Sequence, residues 1–246
     1  RARLSGHDLR GINFSGRNLR AADFSRSNLS GCKFRSANVS ESNFFGVVAP
    51  HVSFRGANLT NTVFRGADLR QAEFYRSRMV YTVLDEVDAR NASFLAAYLR
   101  RVSFKAAHLE GADFSEAILY GSRFCKADLR AADFFSTRLL MCNFTGADLH
   151  RANFQNCNLE KLCSGPGSMN LDGAIGIYQL GPRGTGGAIG YAVTHSDGVM
   201  FSYDGFWGGE QEFLARTRRT YGENSLLERQ LELAAEILRE EDLPDN

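Results

Sequence analysis

Features that define many protein classes are scarce or missing in this sequence. Its 246 residues include four prolines and one tryptophan, so a proline-rich extended chain is excluded. No apolar run reaches the roughly 20 residues that a membrane-spanning helix needs, and no signal-peptide pattern occurs. We therefore expect a protein that does not bind a membrane and that lies in the cytoplasm or is associated with a phage particle.

Recognisable catalytic and metal-binding motifs are also missing. No Cys-x-x-Cys pair and no His/Cys cluster with zinc spacing occurs, and we interpret Cys32, Cys142 and Cys157 as small structural residues. The glycine-rich stretch at 181–187 lacks the Gly-Lys-Ser/Thr of a phosphate loop. Thr194–Asp197 contain the residue types of a catalytic triad, but neighbours in a tight turn cannot form one. The sequence predicts a non-enzymatic protein without catalytic, metal-binding or cofactor-binding residues.

A large apolar residue recurs at every fifth position from Leu4 to Leu159. Of these 32 centre positions, 14 are phenylalanine and most others are leucine. The four exceptions are Val39, Ala49, Met79 and Ala89. The residue two positions before each centre is almost always small. A period of five fits neither a helix nor a strand, so it indicates a repeat structure that turns regularly.

The repeat resembles the pentapeptide repeat family, whose pattern is roughly Ala-Asp/Asn-Leu-x-x. Ala67–Leu69, Ala112–Phe114 and Ala147–Leu149 carry the match, which extends over about residues 2–163. The resemblance implies a right-handed quadrilateral β-helix with four pentads in each coil and about eight coils. At the usual strand spacing this rod is roughly 35–40 Å long. The fold class is therefore mainly β, but a shared fold does not imply a shared function.

Phenylalanine and leucine alternate at the centres, so the full period is ten residues. On a coil with four sides, phenylalanine then occupies two opposite sides and leucine the other two. We expect like residues to stack from coil to coil. A centre alanine leaves a void in such a stack, and we expect a local bulge at Ala49, next to Pro50.

The charge distribution divides the chain into two parts. Residues 1–163 contain 23 Lys and Arg against 15 Asp and Glu, a net charge of +8. The remainder contains 6 and 13, a net charge of −7. We predict a β-helix over 1–163, a linker over 164–170, and a small α+β domain over 171–246. In this last domain we expect a strand at 175–180, a hairpin of 189–194 and 199–203, a turn at 205–209, and helices at 210–221 and 225–241.

Two sides of the rod differ in chemistry. On the side centred on Leu9, Leu69 and Leu129, which we call the Asp–Arg side, aspartates precede and arginines follow the centres. This pattern favours a self-neutralising network, and the alternative is a strip for nucleic acid or an acidic protein. The opposite side, centred on Leu99 and Leu119, is the aromatic side. Its predicted outward residues, with three from the adjoining side, are Tyr75, Val80, Tyr81, Leu95, Tyr98, Ile118, Tyr120, Phe135, Leu140 and Met141.

An exposed apolar patch of this size is typical of an interface, so we predict that the aromatic side is the main contact surface. The tail domain, a second copy of the chain and a foreign protein are all candidate partners. Nucleic acid has weaker support. We also expect the tail to cover the C-terminal coil, because the last coil leaves unpaired strand edges.

Three function classes follow. The first and favoured one is a non-enzymatic protein-binding scaffold. The second, implied by the family resemblance, is a protein that binds DNA gyrase or another topoisomerase and protects it from poisons. The third is a structural protein of a phage or other particle.

Overall fold

The structure is a computed structural model that describes residues 2–155, 157, 177–180, 190–195, 198–203, 206–221 and 234–235. The predicted linker at 164–170 lies outside these residues. In the described parts of the chain, none of the helices combines the length and the apolar character needed to span a bilayer.

The first part is the predicted β-helix. Each residue at the start of a side pairs in parallel with the residue 20 positions later, from Arg3–Asp23 to Asp133–Asn153. Four pentads therefore form one coil, which confirms the four-sided interpretation. The coils are joined by a continuous ladder of backbone hydrogen bonds, such as Leu29 N to Val48 O at 2.7 Å.

A β-turn forms each corner of the coil. The amide three residues after a centre donates to the centre carbonyl, as Ile12 N does to Leu9 O at 3.2 Å. The residue before that amide has a φ between 52° and 71° at all 30 corners from Gly6 to Arg151. This is the geometry of a type II turn, which requires a left-handed residue at its third position. Only ten of the 30 corner residues are glycine.

Extended pairing is longest on the aromatic side. Strands β1 (Arg78–Val80), β2 (Tyr98–Arg100), β3 (Ile118–Tyr120) and β4 (Arg138–Leu140) form a parallel sheet in the order β1-β2-β3-β4. The register pairs residues 20 positions apart, for example Leu99 with Leu119. The remaining pairs between described coils are isolated bridges.

Two columns of phenylalanine rings fill the core. Rings in one column stack nearly parallel, with centroids 4.7 Å apart for Phe94–Phe114 and 5.4 Å for Phe54–Phe74. Rings of opposite columns meet edge to face, for example Phe104–Phe114 at 5.8 Å and 90°. These are the arrangements that aromatic quadrupoles favour. The predicted alternation of phenylalanine and leucine sides is confirmed.

The predicted bulge at Ala49 is wrong. The ladder passes through this coil without interruption, with Ala49 N bonded to Asp68 O at 2.8 Å. Val47 occupies the position that is usually small, and it is buried together with Ala49. Val87 and Ala89 make the same exchange in a later coil. A larger residue at the neighbouring inward position replaces the volume that the centre alanine lacks, so no void has to be closed by the backbone.

Pro50 fits this coil without losing a hydrogen bond. In other coils the amide at this position donates to an Asn or Asp side chain two residues earlier, as Ser30 N does to Asn28 Oδ1 at 3.1 Å. Val48 takes the place of that acceptor, and Pro50 has no N–H to donate. This coil therefore lacks both the donor and the acceptor of the hydrogen bond, and no polar group is left without its partner.

The C-terminal part contains an antiparallel sheet and a helix. Its strands are β5 (Ile177–Leu180), β6 (Gly190–His195), β7 (Gly198–Tyr203) and β8 (Phe206–Gly209), in that order. Helix α1 (Glu210–Tyr221) follows, as predicted. The turn expected at 205–209 is wrong, because β8 pairs there with β7 over four residues. Of the second predicted helix, only 234–235 are described, and they are helical.

The sheet of the tail contacts the rod. Val193 on β6 is buried in the same hydrophobic cluster as the rod core, with Ile177 and Met200 packed against that cluster. A second, smaller cluster joins Phe201 and Phe213 to the helical pair at 234–235. The covering of the C-terminal coil by the tail stays a prediction, and the shared cluster shows that β6 packs against the rod core.

Candidate protein-binding surface

The structure brings the ten predicted contact residues together over four successive coils. Val80, Tyr98, Ile118, Tyr120 and Leu140 lie on strands β1 to β4. The corner that follows these strands carries Tyr81 and Met141, and the adjoining side carries Tyr75, Leu95 and Phe135. The register of 20 residues places them in adjacent columns, so they form one surface.

Their exposure is uneven. Tyr81, Leu140 and Met141 expose 47%, 45% and 46% of their surface. Val80 exposes only 6%, so it supports the sheet and offers little contact area. The other six side chains are half-buried. The apolar contact area is therefore greatest along the corner and at the C-terminal end of the aromatic side.

Sequence reasoning missed four exposed arginines on this surface. Arg78, Arg100 and Arg138 lie on β1, β2 and β4, and Arg101 follows β2. Reading the side for apolar residues alone passed over them, although the same register that aligns the tyrosines also places these arginines. The surface is basic and aromatic rather than purely apolar.

Three of these arginines lie over tyrosine rings. The guanidinium carbon of Arg78 is 5.2 Å from the ring centre of Tyr98, and that of Arg100 is 5.7 Å from that of Tyr120. Arg101 lies 5.7 Å from the ring of Tyr81, and its Nη1 donates to Tyr81 Oη at 3.0 Å. Such cation–π contacts fix both side chains and leave the charge uncompensated.

The guanidinium groups of the aromatic side differ from those of the Asp–Arg side in their ion pairs. Within the described residues, Arg78, Arg100, Arg101 and Arg138 form no ion pair with an Asp or Glu. The strands β1 to β4 also carry no carboxylate. These four positive charges therefore stand together on the surface. One carboxylate lies among them, that of the exposed Glu116 at the corner before β3, and among the described residues it forms no ion pair with the four arginines.

The Asp–Arg side has the opposite character. Each arginine there is paired with the aspartate two residues earlier, for example Arg70–Asp68 at 2.8 Å and Arg90–Asp88 at 2.7 Å. The hydrogen bond from Arg90 lowers the pKa of Asp88 below its usual value. The predicted self-neutralising network is present, and each exposed pair contributes little to stability. This side offers little net charge to a partner.

Two corners of the aromatic side carry residues that left-handed backbone disfavours. Tyr81 and Met141 have φ values of 56° and 57°. Among the 30 corner residues described, they are the only large apolar or aromatic ones. A left-handed conformation costs a residue with a β-carbon roughly 1–2 kcal/mol. The other 18 non-glycine corners carry the same cost, so the exposed apolar surface of Tyr81 and Met141, and not the strain, indicates a role in contacts.

This strain can be measured at Met141. We expect Met141→Gly to raise the free energy of unfolding by about 1 kcal/mol, because glycine adopts this φ without cost. Leu140→Gly, one residue earlier in β4, is the matched control. It should lower stability by about 1 kcal/mol, because glycine loses more entropy in a strand. Urea denaturation followed by far-UV circular dichroism compares the two variants, and equal shifts of the same sign would contradict the strain argument.

The buried cysteines are structural. Cys32, Cys142 and Cys157 occupy the small inward position, as predicted, and each thiol lies near a carbonyl of the preceding coil, for example Cys157 Sγ to Phe134 O at 2.9 Å. Burial raises the pKa of Cys142 and Cys157 to about 12. Among the residues that the structure describes, no group of three or more His, Cys, Asp or Glu side chains is arranged to hold a metal.

This predicts slow alkylation. At pH 8 the thiols of Cys142 and Cys157 stay protonated, because their pKa values of about 12 lie well above that pH. The thiolate is the reactive form, so both residues should resist iodoacetamide in the folded protein. Cys125, which is only half-buried, serves as the internal comparison. Peptide mass spectrometry after timed labelling measures each site, and labelling of Cys142 as fast as Cys125 would refute the assignment.

The fold and surface define a β-helical solenoid whose outward residues vary by side. A family model described as pentapeptide repeats matches the chain at residues 18–48, 50–80, 97–139 and 127–161, in eight copies. The chain belongs to the pentapeptide repeat family. Among curated proteins, no sequence matches it significantly.

Several solved structures are similar in fold. A trypsin-treated form of QnrB1, described as a plasmid-mediated fluoroquinolone resistance protein, is 19% identical over 69% of this chain and 78% of its own, with a TM-score of 0.35. HetL of the cyanobacterium Nostoc sp. strain PCC 7120, involved in heterocyst differentiation regulation, is 21% identical over 64% and 90%, with a TM-score of 0.19. A pentapeptide repeat protein of the Arabidopsis thaliana thylakoid lumen is 32% identical over 46% and 69%, with a TM-score of 0.18.

Proposed function

We propose that this chain is a non-enzymatic protein-binding scaffold that contacts its partner through the aromatic side. The observation that carries the proposal is the surface on β1 to β4, where arginines with no ion pair among the described residues lie against tyrosines, beside exposed Leu140 and Met141. Tyrosine and arginine, together with tryptophan, are the residues most enriched among those that dominate interface energies, and methionine is also enriched at interfaces.

The rigidity of the rod supports this role. The aromatic side is a parallel sheet whose strands are hydrogen-bonded to their neighbours in sequence order, and it lies over the stacked phenylalanine core. A contact surface held in this way loses little conformational entropy when a partner binds. The cation–π contacts restrict the tyrosine and arginine side chains further. The surface is therefore ordered before binding.

The topoisomerase hypothesis has less support. QnrB1 is described as a fluoroquinolone resistance protein, but a likeness at this level carries no function to the present chain. A protein that imitates DNA needs a negative surface, whereas residues 1–163 carry a net charge of +8. Protection of gyrase supercoiling from a quinolone by the purified chain would replace our proposal. The particle-associated hypothesis is favoured by no observation on the described residues.

A photo-crosslinking experiment tests the proposal. The photoreactive amino acid p-benzoyl-phenylalanine is introduced at Leu140, which is exposed on β4, and separately at Ala131, which is exposed on the Asp–Arg side. The two variants are irradiated in an extract of the source cells. We expect a discrete crosslinked species from position 140 that is absent from position 131.

The same experiment has a second arm. Tyr98→Glu combined with Tyr120→Glu places two carboxylates in the arginine–tyrosine columns and should abolish the crosslink at position 140. Circular dichroism checks that the rod remains folded. A crosslinked product of twice the chain mass would identify a second copy as the partner. Identical products from positions 140 and 131 would contradict a specific contact surface.

A further inference from the structure

We infer that the aromatic side binds an acidic protein segment, with partner carboxylates pairing with Arg78, Arg100, Arg101 and Arg138 and partner apolar side chains covering Leu140 and Met141. The inference rests on the proposed function and specifies the chemistry of the partner. It follows from the charges, the side-chain stacking and the composition of this one surface.

The charge argument concerns what happens when the surface is covered. A guanidinium that is removed from water without a countercharge loses several kcal/mol of hydration free energy. No described Asp or Glu is paired with these four arginines, whereas Arg10, Arg70, Arg90 and Arg130 on the opposite side are each paired within their own pentad. The single exposed carboxylate of this surface, Glu116, cannot balance four arginines, so a partner that covers the aromatic side must supply most of the negative charge.

The stacking argument concerns how the arginines are presented. The guanidinium carbons of Arg78 and Arg100 lie 5.2 and 5.7 Å from the ring centres of Tyr98 and Tyr120. A contact with a ring uses none of the five N–H donors in the guanidinium plane. They remain available for the two-point hydrogen bonds that a carboxylate accepts. The tyrosines thus hold the arginines in place for an oxygen ligand.

The composition favours a protein over a nucleic acid. Non-specific binding of single strands uses exposed aromatic faces on which bases stack. Here the rings of Tyr81, Tyr98 and Tyr120 are already in contact with guanidinium groups. Leu140 and Met141 are exposed in the same surface and match apolar side chains rather than a phosphate backbone. Strands β1 to β4 contain arginine but no lysine, as is typical of protein interfaces.

The size of the surface fits a short segment. β1 and β4 are three strand spacings apart, roughly 14 Å, and Arg78 and Arg138 lie at these two ends. An extended peptide advances about 3.3 Å per residue, so about five residues span the distance. Alternate residues of such a peptide point to the same face, so carboxylates and apolar side chains contact the surface together when both occur among those alternate residues.

A direct binding measurement tests the inference. The probe is a fluorescein-labelled peptide with the repeat Glu-Ser-Leu-Ser, whose extended form presents Glu and Leu on one face and Ser on the other. Its binding to the full chain is measured by fluorescence anisotropy. The charge-reversal variant is Arg78→Glu with Arg138→Glu. The matched control is Arg26→Glu with Lys126→Glu, which changes the net charge equally at two exposed basic residues on the corner before the Asp–Arg side.

We expect the reversal on the aromatic side to weaken peptide binding at least about tenfold, while the control changes it by less than about twofold. Binding of the peptide to the unmodified chain should also weaken as salt rises from about 50 to about 200 mM. Salt screens the attraction between the arginines and the peptide carboxylates, because both are partly exposed to water. Equal weakening by the two variants would show that the loss of affinity comes from the net charge of the chain and not from the aromatic side, and it would overturn the inference.

Two further probes complete the test. A peptide with every Glu replaced by Gln should bind at least about tenfold more weakly; equal binding would show that only apolar contacts matter and would overturn the inference. A thymidine oligonucleotide that binds more tightly than the acidic peptide, and loses affinity in the Arg78→Glu, Arg138→Glu variant, would assign the surface to nucleic acid instead.

The crosslinking experiment separates this inference from the proposed function. If the crosslink at position 140 persists in the Arg78→Glu, Arg138→Glu variant, the scaffold proposal stands without the acidic partner. If the crosslink is absent from the unmodified surface, both proposals fail.

Discussion

Phe114→Ala is expected to lower the free energy of unfolding by about 3–5 kcal/mol. The ring is fully buried and contacts four others. It stacks on Phe94 at 4.7 Å and on Phe134 at 5.1 Å, and it meets Phe104 and Phe124 edge to face at 5.8 and 5.6 Å. The cavity cannot close easily, because hydrogen bonds hold the coils at a fixed spacing above and below it. Urea denaturation followed by circular dichroism measures the loss.

Two comparisons show whether this loss comes from the stacked core. Phe45→Ala removes the same atoms from a ring that is 41% exposed, so it should cost much less. Phe114→Leu should also be milder than the alanine variant, because Leu84 already occupies a position in the other phenylalanine column and is fully buried there. A Phe114→Ala loss no larger than that of Phe45→Ala would contradict the assigned packing.

A series of deletions should give the second large effect on stability. The loss of stability should depend on whether the deletion preserves the register of the phenylalanine columns, and not on the number of residues removed. Removing one whole coil, residues 42–61, places Phe24 over Phe64 and should be tolerated. Removing half a coil, residues 42–51, places Phe24 over Phe54, because phenylalanine occupies opposite sides. Both variants keep the columns intact, so both should unfold cooperatively near the urea midpoint of the complete chain.

Shorter deletions should be worse. Removing one pentad, residues 42–46, places Phe24 over Ala49 and loses ring stacks worth about 0.5–1.5 kcal/mol each. Removing Ser42 alone leaves a side one residue short, so the coil cannot close and polar residues turn inward. The midpoints should fall in the order whole coil and half coil, then pentad, then single residue. A midpoint that tracks the number of residues removed would refute the four-sided register.

Residue periodicity predicted most of the rod because each structural rule there is local. Phe94 and Leu99 must point inward once the chain turns every five residues, and their neighbours must point outward. The exchange of Val47 for the volume missing at Ala49 was not predicted, since it requires two inward positions of one pentad to be considered together. The pairing of Val48 with Pro50 was not predicted either. It concerns the hydrogen bond between an amide and the side chain two residues earlier, which is recognised only once the turn geometry is known.

The arginine–tyrosine columns show a different limit. Arg78 and Tyr98 are 20 residues apart in sequence, and their contact exists only after two coils stack. Classifying the outward residues of the aromatic side by hydropathy identified the tyrosines but not the arginines, although each cation–π contact joins one of each. Strand β8 was missed for another reason: Phe206–Gly209 ends in two glycines, which are more common in turns, and pairing with β7 overrides that preference.

The direction of the backbone hydrogen bonds has a mechanical consequence. Because each coil bonds to the next through bonds such as Phe94 N to Asp113 O, the bonds lie along the axis of the rod. Tension applied between the two ends therefore loads the coil interfaces in series, and the weakest interface opens first. Each opened coil of 20 residues releases roughly 60 Å of chain. Under load the rod would act as an extensible element that lengthens in equal steps, while the coils that remain closed keep their surface unchanged.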